Sequence, residues 1–305
     1  MVSEGMKRVI DLISQMTGEV SEFSLEATRE GLEQLGKMAK IPKDVIIESV
    51  NAGGVPAEWI SAPNALNDLV ILYLHGGGYA AGSIKSHEGL AAEVSRESKA
   101  RVLLIDYRLA PEHVFPAAIV DSTKAYRWLI SKEGMLPNNV IIGGDSAGGG
   151  LTIATLVKLR DEGDKLPAGA FCLSPWTDLA NTGETIQTNA DKDPFVSPTE
   201  LEEMSKLYSG NKNAKDPLIS PLYADLSGLP PLLIQVGTAE ILLDDSRRVA
   251  DRAIEAGVDV QLEIWEDMIH VFAAFGQWAP EGKEGIEQIG KFIQKHIRRE
   301  VIVAS

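Results

Sequence analysis

The chain alternates between short runs of aliphatic and β-branched residues and longer stretches in which apolar residues recur every three or four positions. The short runs are typical of buried strands, and the longer stretches are typical of amphipathic helices. This alternation predicts a mostly parallel sheet with helices on both faces. Eight strands are predicted, at residues 45–50, 56–61, 69–74, 101–107, 140–143, 169–173, 232–236 and 258–265.

The connections between these strands are of three kinds. Residues 51–54 are short and glycine-containing, which favours an antiparallel hairpin between the first two strands. Helical periodicity is clearest at residues 119–130, 243–253 and 286–297. Two segments interrupt the alternation: residues 1–40 have helical periodicity before any strand, and residues 178–225 form a long connection with one predicted helix at 198–208. Connections of that length often serve as binding lids, so the predicted core divides into residues 41–177 and 226–305.

Composition and charge narrow the function classes. The 305 residues are 44% hydrophobic, as expected of a folded globular protein, and their formal charge is −15. An acidic chain without a basic stripe does not suit nucleic-acid binding and favours a neutral or cationic small substrate. No apolar run approaches the ~20 residues of a membrane span, and no secretion signal is evident. Cys172 is the only cysteine, which fits a reducing compartment. We therefore predict a soluble, cytoplasmic protein that binds neither nucleic acid nor membrane.

A candidate nucleophile lies in Gly144-Asp145-Ser146-Ala147-Gly148, between the strand at 140–143 and a predicted helix at 151–160. A serine at such a turn projects its hydroxyl above the sheet edge, and flanking glycines remove Cβ atoms that would collide there. The alternative is a glycine-rich turn without catalysis. Neither G-x-G-x-x-G nor a P-loop fits residues 143–150, so this turn does not match a known nucleotide-binding motif.

A second glycine-rich loop, His75-Gly76-Gly77-Gly78-Tyr79, follows the predicted strand at 69–74. Such a loop lets backbone N–H groups converge on one point, where they stabilise the oxyanion of a tetrahedral intermediate. We predict Gly77, Gly78 and Ala147 as the oxyanion donors, with Gly76 as a replacement for one of them. Taken alone, the loop could equally be a tight turn.

The catalytic base must come from five histidines, namely His75, His87, His113, His270 and His296. His270 lies just past the last predicted strand, at the edge where Ser146 emerges, and is the predicted base. His87 and His296 fall in helices, where solvated or capping roles are expected. The carboxylate that orients the base should follow the strand at 232–236, where Glu240, Asp244 and Asp245 all qualify. The order Ser146, Glu240, His270 is the one expected of an α/β-hydrolase.

Together these residues resemble the hormone-sensitive-lipase-like family (bacterial family IV) of carboxylesterases, which have the α/β-hydrolase fold. The family places H-G-G-G ahead of G-D-S-A-G, and here 71 residues separate His75 from Ser146. The resemblance covers the chain from about residue 45 to its end. Further matching stretches are Tyr107-Arg108-Leu109-Ala110-Pro111-Glu112-His113, Phe115-Pro116-Ala117 and Leu173-Ser174-Pro175-Trp176.

The chain departs from the family pattern at the acid. The family usually has Asp-Pro-Leu followed shortly by another Asp, whereas this chain has Glu240-Ile241-Leu242-Leu243-Asp244-Asp245. By register Glu240 takes the place of the acid, and Asp244 is the alternative. The resemblance also implies a helical cap built from residues 1–40 and 178–225, and a homodimer formed through the edge strand at 258–265.

These predictions describe a serine carboxylesterase, with no metal and no cofactor, that hydrolyses short- to medium-chain neutral esters through an acyl-enzyme. Amide or peptide hydrolysis by the same triad is the nearer alternative. A lipase is conceivable, although residues 198–208 do not form a strongly apolar lid helix. A protein that binds a ligand without catalysis, like the plant gibberellin receptors that resemble this family, is disfavoured because those receptors lack the catalytic histidine.

Several other side chains have expected roles. Asp145 is expected to secure the nucleophile turn and the glycine-rich loop, and not to transfer protons. Arg108 and Glu112 are expected to brace the loop at His75. Five aromatic or thioether side chains are candidates for the pocket lining, namely Phe23, Tyr79, Phe195, Met204 and Tyr208.

Overall fold

The computed structural model describes residues 2–17 and 23–297 and contains one eight-stranded sheet. All eight predicted strands are present, with ends that differ from the prediction by at most three residues. The strands are β1 (Ile46–Asn51), β2 (Pro56–Ser61), β3 (Leu66–Leu74), β4 (Ala100–Ile105), β5 (Val140–Asp145), β6 (Gly169–Leu173), β7 (Leu232–Gly237) and β8 (Val260–Trp265).

Every helix predicted from the sequence is present, and the helices at Ile84–Ser98 and Thr185–Thr188 were not among those predicted from apolar periodicity. The helices are α1 (Glu4–Thr17), α2 (Leu25–Met38), α3 (Ile84–Ser98), α4 (Ala117–Ser131), α5 (Ala147–Asp161), α6 (Thr185–Thr188), α7 (Pro198–Ser209), α8 (Leu243–Glu255) and α9 (Pro280–His296). Helix α7 begins where predicted because Ser197 and Glu200 form a capping box and Pro198 occupies the first turn. Within the described ranges, no helix is both long enough and apolar enough to cross a membrane.

The strand order is β1-β2-β4-β3-β5-β6-β7-β8. Strands β1 and β2 form the predicted antiparallel hairpin, β2 pairs antiparallel with β4, and every other pairing is parallel. This confirms the mostly parallel sheet. Because the parallel strands share one direction, the loops after β3, β5, β6, β7 and β8 leave the same edge of the sheet, where ligands bind in open α/β folds.

Apolar layers cover both faces of the sheet. Alternate residues of β3 point in opposite directions, so Val70 and Leu72 pack in the layer with α4, α5 and α8, whereas Ile71 and Tyr73 pack in the layer with α3 and α9. A smaller cluster joins α1 to residues 268–279. Of the predicted cap segments, residues 1–40 contain α1 and α2, and residues 178–225 contain α6 and α7. The domain boundaries drawn there stay a prediction.

Candidate active site

Ser146 occupies a sharp turn between β5 and α5. Its φ of 53° and ψ of −120° lie in a region that non-glycine residues seldom adopt. Backbone contacts hold this strained conformation, since the Ser146 N–H donates to Leu173 O at 2.8 Å and Ser146 O accepts from Trp176 N at 2.9 Å. A Cβ at Gly148 would collide with the backbone carbonyl oxygen of Leu74, which is why this turn requires glycine there.

The glycine-rich loop leaves β3 beside this turn. Gly77 and Gly78 have φ values of 110° and 61°, and both line the same pocket as Ser146. Ala147 opens α5, so its N–H belongs to the free first turn of that helix. The Gly76 N–H, by contrast, already donates to Asp145 Oδ1 at 3.1 Å. The Gly76 N–H is therefore already engaged, and the assignment of Gly77, Gly78 and Ala147 as oxyanion donors stays a prediction.

A buried polar cluster supports the loop from below. The Asp145 carboxylate accepts from Tyr73 Oη at 2.9 Å as well as from Gly76, and its Oδ2 lies 3.3 Å from His87 Nε2. Burial alone would raise the pKa of Asp145, but the neighbouring His87 and the Tyr73 hydrogen bond hold it below its usual value. Asp145 thus secures both loops, as expected. The expectation of a solvated or capping His87 is wrong, because that ring is buried against Asp145.

The other bracing predictions are met only in part. Tyr107 braces the loop directly: its hydroxyl donates to His75 O at 2.7 Å, and its ring stacks on His75 at 4.3 Å. Arg108 does not contact the loop and instead forms a two-pronged ion pair with Asp121. Glu112 acts at one remove, since it binds Arg29 of α2, which donates to Ala80 O at 2.8 Å.

His270 follows β8 and lies at the same pocket, nearly fully buried. Its Nδ1 donates to Glu240 Oε2 over 2.9 Å. Burial alone would lower the pKa of His270, but the hydrogen bond to Glu240 and the charge of that carboxylate outweigh it, so the pKa is raised. The same bond occupies Nδ1 and leaves Nε2 as the ring nitrogen that can take a proton from a nucleophile.

Two further contacts fix the Glu240 carboxylate. Its Oε1 accepts from Ser174 Oγ at 2.7 Å and from Gly237 N at 2.5 Å. Ser174 Oγ also accepts from Val271 N at 3.0 Å, so one hydroxyl ties the end of β6 to the loops after β7 and β8. Sequence reasoning missed Ser174, which it treated only as part of a matching motif.

The other acid candidates face elsewhere. Asp244 accepts from Thr185 N at 3.0 Å, and Asp245 accepts from Thr177 N at 2.7 Å, so both hold the segment between β6 and β7. Burial raises the pKa of Asp245 to about 7, and the nearby Asp178 adds to this effect. The structure therefore brings Glu240 to His270, and neither Asp244 nor Asp245.

The pocket above Ser146 is mainly apolar. Both predicted cap segments reach it, through Leu32 and Leu35 of α2 and through Leu201 and Met204 of α7. Of the five predicted lining residues, Phe195 and Met204 are in its wall. Tyr79 and Tyr208 instead stack on each other within the core at 3.9 Å, and Phe23 packs against the same core.

The chain is similar in sequence and in structure to known hydrolases. A sequence profile of the α/β-hydrolase fold matches residues 71–274. An acetyl-hydrolase of Streptomyces hygroscopicus is 42% identical over 86% of this chain and 86% of its own length. An esterase of Acinetobacter venetianus is 36% identical over 87% and 88%, respectively. The crystal structure of an esterase from the bacterial hormone-sensitive lipase family superposes with a TM-score of 0.94 at 47% identity, covering 98% of this chain and 100% of that one.

The fold and the site together define an α/β-hydrolase. Within that class, the chain belongs to the hormone-sensitive-lipase-like family of carboxylic ester hydrolases, as the motifs predicted.

Proposed function

We propose that the chain is a serine carboxylesterase that hydrolyses short- to medium-chain neutral carboxylic esters through an acyl-enzyme. The observation that carries this proposal is the 2.9 Å contact between His270 Nδ1 and Glu240 Oε2, with His270 and Ser146 in the wall of one pocket. A serine is a weak nucleophile until a neighbouring base removes its proton, and that base needs a third group to hold its orientation.

In the proposed mechanism, His270 Nε2 takes the proton of Ser146 Oγ as this oxygen attacks the ester carbonyl. Glu240 keeps the proton on Nδ1 and stabilises the imidazolium that forms. The imidazolium then protonates the leaving alcohol. Water, activated by the same histidine, attacks the acyl-enzyme, releases the acid and restores Ser146. These steps use only protein groups and water.

Backbone N–H groups stabilise the negative charge of each tetrahedral intermediate. The N–H groups of Gly77, Gly78 and Ala147 are the proposed donors, because they flank Ser146 and the Gly76 N–H is already engaged by Asp145. The N-terminus of α5 contributes further, since the partial positive charge of a helix end lies beside the developing oxyanion.

The pocket and the net charge indicate the substrate class. The apolar wall of the pocket suits an acyl chain, and the formal charge of −15 disfavours anionic substrates. The Streptomyces relative is named an acetyl-hydrolase, which indicates an acetyl group for that protein, and the Acinetobacter relative is named an esterase. By analogy we propose acetyl to medium-chain esters here.

The test is hydrolysis of p-nitrophenyl esters from acetate to palmitate by the native chain and by Ser146→Ala. We expect turnover of the short and medium esters, little of palmitate, and loss of roughly 10⁴-fold or more in the variant. An anilide of the same acyl group, run in parallel, separates ester from amide hydrolysis. Turnover of the anilide at a rate equal to the ester, or a folded native chain that is inert on all of them, would contradict the proposal.

We also propose a homodimer and a cytoplasmic location. Strand β8 is an edge of the sheet, its side chains are only half-buried, and Ile264 is 41% exposed, so it can pair with a second copy. Light scattering of the native chain beside Ile264→Lys tests the dimer, which the lysine should weaken. The single thiol, Cys172, is buried in β6, which fits a reducing compartment.

A further inference from the structure

Asp193 lies between α6 and α7 and is buried, at 8% exposure. Its carboxylate accepts three backbone hydrogen bonds. Oδ1 binds Phe195 N at 2.9 Å and Val196 N at 3.1 Å, and Oδ2 binds Ile241 N at 3.0 Å. A carboxylate that satisfies N–H groups from two separate segments fixes the distance between them.

The two segments that Asp193 joins have different tasks in the site. Phe195 and Val196 are part of the pocket wall, whereas Ile241 directly follows Glu240. Asn189 reinforces the same junction, since its Nδ2 donates to Glu240 O at 2.8 Å and to Thr238 O at 3.1 Å. The loop that carries the acid is therefore fastened to the connection between β6 and β7 from both sides of Glu240.

Asp193 also shares its surroundings with the base. The ring of Phe195 lies 5.9 Å from that of His270, centroid to centroid. Burial raises the pKa of Asp193 to about 6; the proximity of His270 opposes this shift and that of Glu240 adds to it. In turn, the charges that favour protonated His270 are those of Glu240, Asp193 and Asp145. Asp193 is therefore linked to the base by geometry as well as by charge, because its Oδ1 accepts from the backbone N–H of Phe195, whose ring lies beside His270.

We propose that Asp193 is a positioning residue for ester hydrolysis: its charge supports the imidazolium of His270, and its hydrogen bonds keep the pocket wall in register with the Glu240 loop. The inference rests on the proposed function. It assigns two separable effects to one side chain. The charge acts on kcat and on the pH profile, and the hydrogen-bond geometry acts on KM.

Two substitutions separate these effects. Asp193→Asn removes the charge and also replaces one acceptor oxygen by an NH2 donor, so it changes both the charge and the hydrogen bonds. Asp193→Glu keeps the charge and both acceptor oxygens and displaces them by one methylene, so it changes the geometry alone. The matched control is Asp216→Asn, because Asp216 makes the same contact with the N–H two residues ahead, Leu218 at 2.9 Å, away from the Glu240 loop. The readouts are kcat and KM for p-nitrophenyl butyrate across pH, and the pKa of the His270 imidazole by NMR titration.

For Asp193→Asn, His270 loses an anion that favours its charged form. The acid limb of kcat/KM should therefore move to lower pH by about 0.5 to 1 unit, and kcat at about pH 8 should fall roughly tenfold. For Asp193→Glu, the acid limb should stay in place while KM rises roughly threefold or more, because the wall at Phe195 shifts. Asp216→Asn should leave both kcat and the pH profile as in the native chain.

An acid limb that does not move in Asp193→Asn, or a loss of kcat no larger than in Asp216→Asn, overturns the inference even where the melting temperature falls. If Asp193→Asn does not fold, Asp193→Glu decides: unchanged KM overturns the inference, and raised KM with an unmoved acid limb supports it. Failure of the proposed function is distinguishable, because the native chain would then hydrolyse no ester while the NMR titration still reports whether Asp193 acts on His270.

Discussion

The nucleophile side of the site, built from the loops after β3 and β5, differs from the base side, built from the loops after β7 and β8. On the nucleophile side the catalytic groups are held mainly by backbone: a strained Ser146, glycines at positive φ, and backbone hydrogen bonds from Ser146 to Leu173 and Trp176. On the base side the geometry is set by side chains from distant segments, with Ser174 and Asn189 holding Glu240 and its loop.

This difference shows two ways to pre-organise catalytic groups. Backbone conformation is limited by what each residue can adopt sterically, so glycines open conformations that other residues avoid, and backbone hydrogen bonds hold Ser146 in a strained one. A carboxylate on a flexible side chain has no such constraint. It is held only by partners that satisfy its oxygens, and these can come from anywhere in the fold.

The largest effect is expected on the base side, from Glu240→Ala. Without its carboxylate the His270 tautomer is unspecified and the imidazolium unsupported, so kcat should fall roughly 10³- to 10⁴-fold. The control is Asp244→Ala, which removes a neighbouring carboxylate that binds Thr185 and should leave kcat within a few-fold. Steady-state kinetics on one ester measure both. A greater loss of kcat in the Asp244 variant would identify Asp244, and not Glu240, as the triad acid.

On the nucleophile side, Gly77→Ala should lower kcat roughly 10²- to 10³-fold, as expected when one oxyanion donor is lost. The added Cβ would collide with the backbone carbonyl of Ala81 in a conformation of φ 110°, so the peptide must turn. Gly54→Ala is the control, since Gly54 has a φ of 99° with open space around it and lies in the β1–β2 hairpin. If both variants retain native kcat, the loop is a turn and no oxyanion hole.

A smaller effect should follow from Ser174→Ala. Glu240 Oε1 loses one of its two donors and Val271 N–H loses its acceptor, so we expect kcat to fall roughly tenfold with about 1–3 kcal/mol less stability. Ser98→Ala is matched to it, because the buried Ser98 hydroxyl likewise donates one hydrogen bond, to the Val94 carbonyl, and accepts one from the Ala100 N–H. Steady-state kinetics and denaturant unfolding of both variants separate the effect on catalysis from the effect on stability. We expect the two variants to lose similar stability and only the Ser174 variant to lose kcat.

The smallest effect concerns the pH dependence of stability on the nucleophile side. Burial would lower the pKa of His87, but Asp145 raises it above the usual value. A raised pKa stabilises the fold fully below the unfolded-state value of about 6.5, and this contribution is lost as pH rises through the folded-state pKa. His87→Gln should therefore reduce the melting temperature more at low pH than at high pH. For His296→Gln we expect the opposite pH dependence. Burial lowers the pKa of His296, so protonation at low pH disfavours the fold, and removing this histidine should raise the melting temperature at low pH relative to high pH.

The sequence by itself determined those features of the fold and the site that depend on neighbouring residues along the chain. The eight strands, the turn at Ser146, the glycines of the loop after β3 and the position of His270 past β8 all follow from local periodicity, local sterics and chain order. The register of a family motif also favoured Glu240. These features lie within spans of a few residues, where residue types constrain the backbone directly.

Only the tertiary structure decided which groups meet across the fold. Glu240, Asp244 and Asp245 all follow β7, and their partners in the fold distinguish them: His270, Thr185 and Thr177, respectively. The burial of His87 against Asp145 and the contact of Asp193 with Ile241 join residues 58 and 48 positions apart. Such contacts depend on how helices and loops pack around the sheet, because a hydrogen bond is set by distance in space and carries no periodicity along the chain.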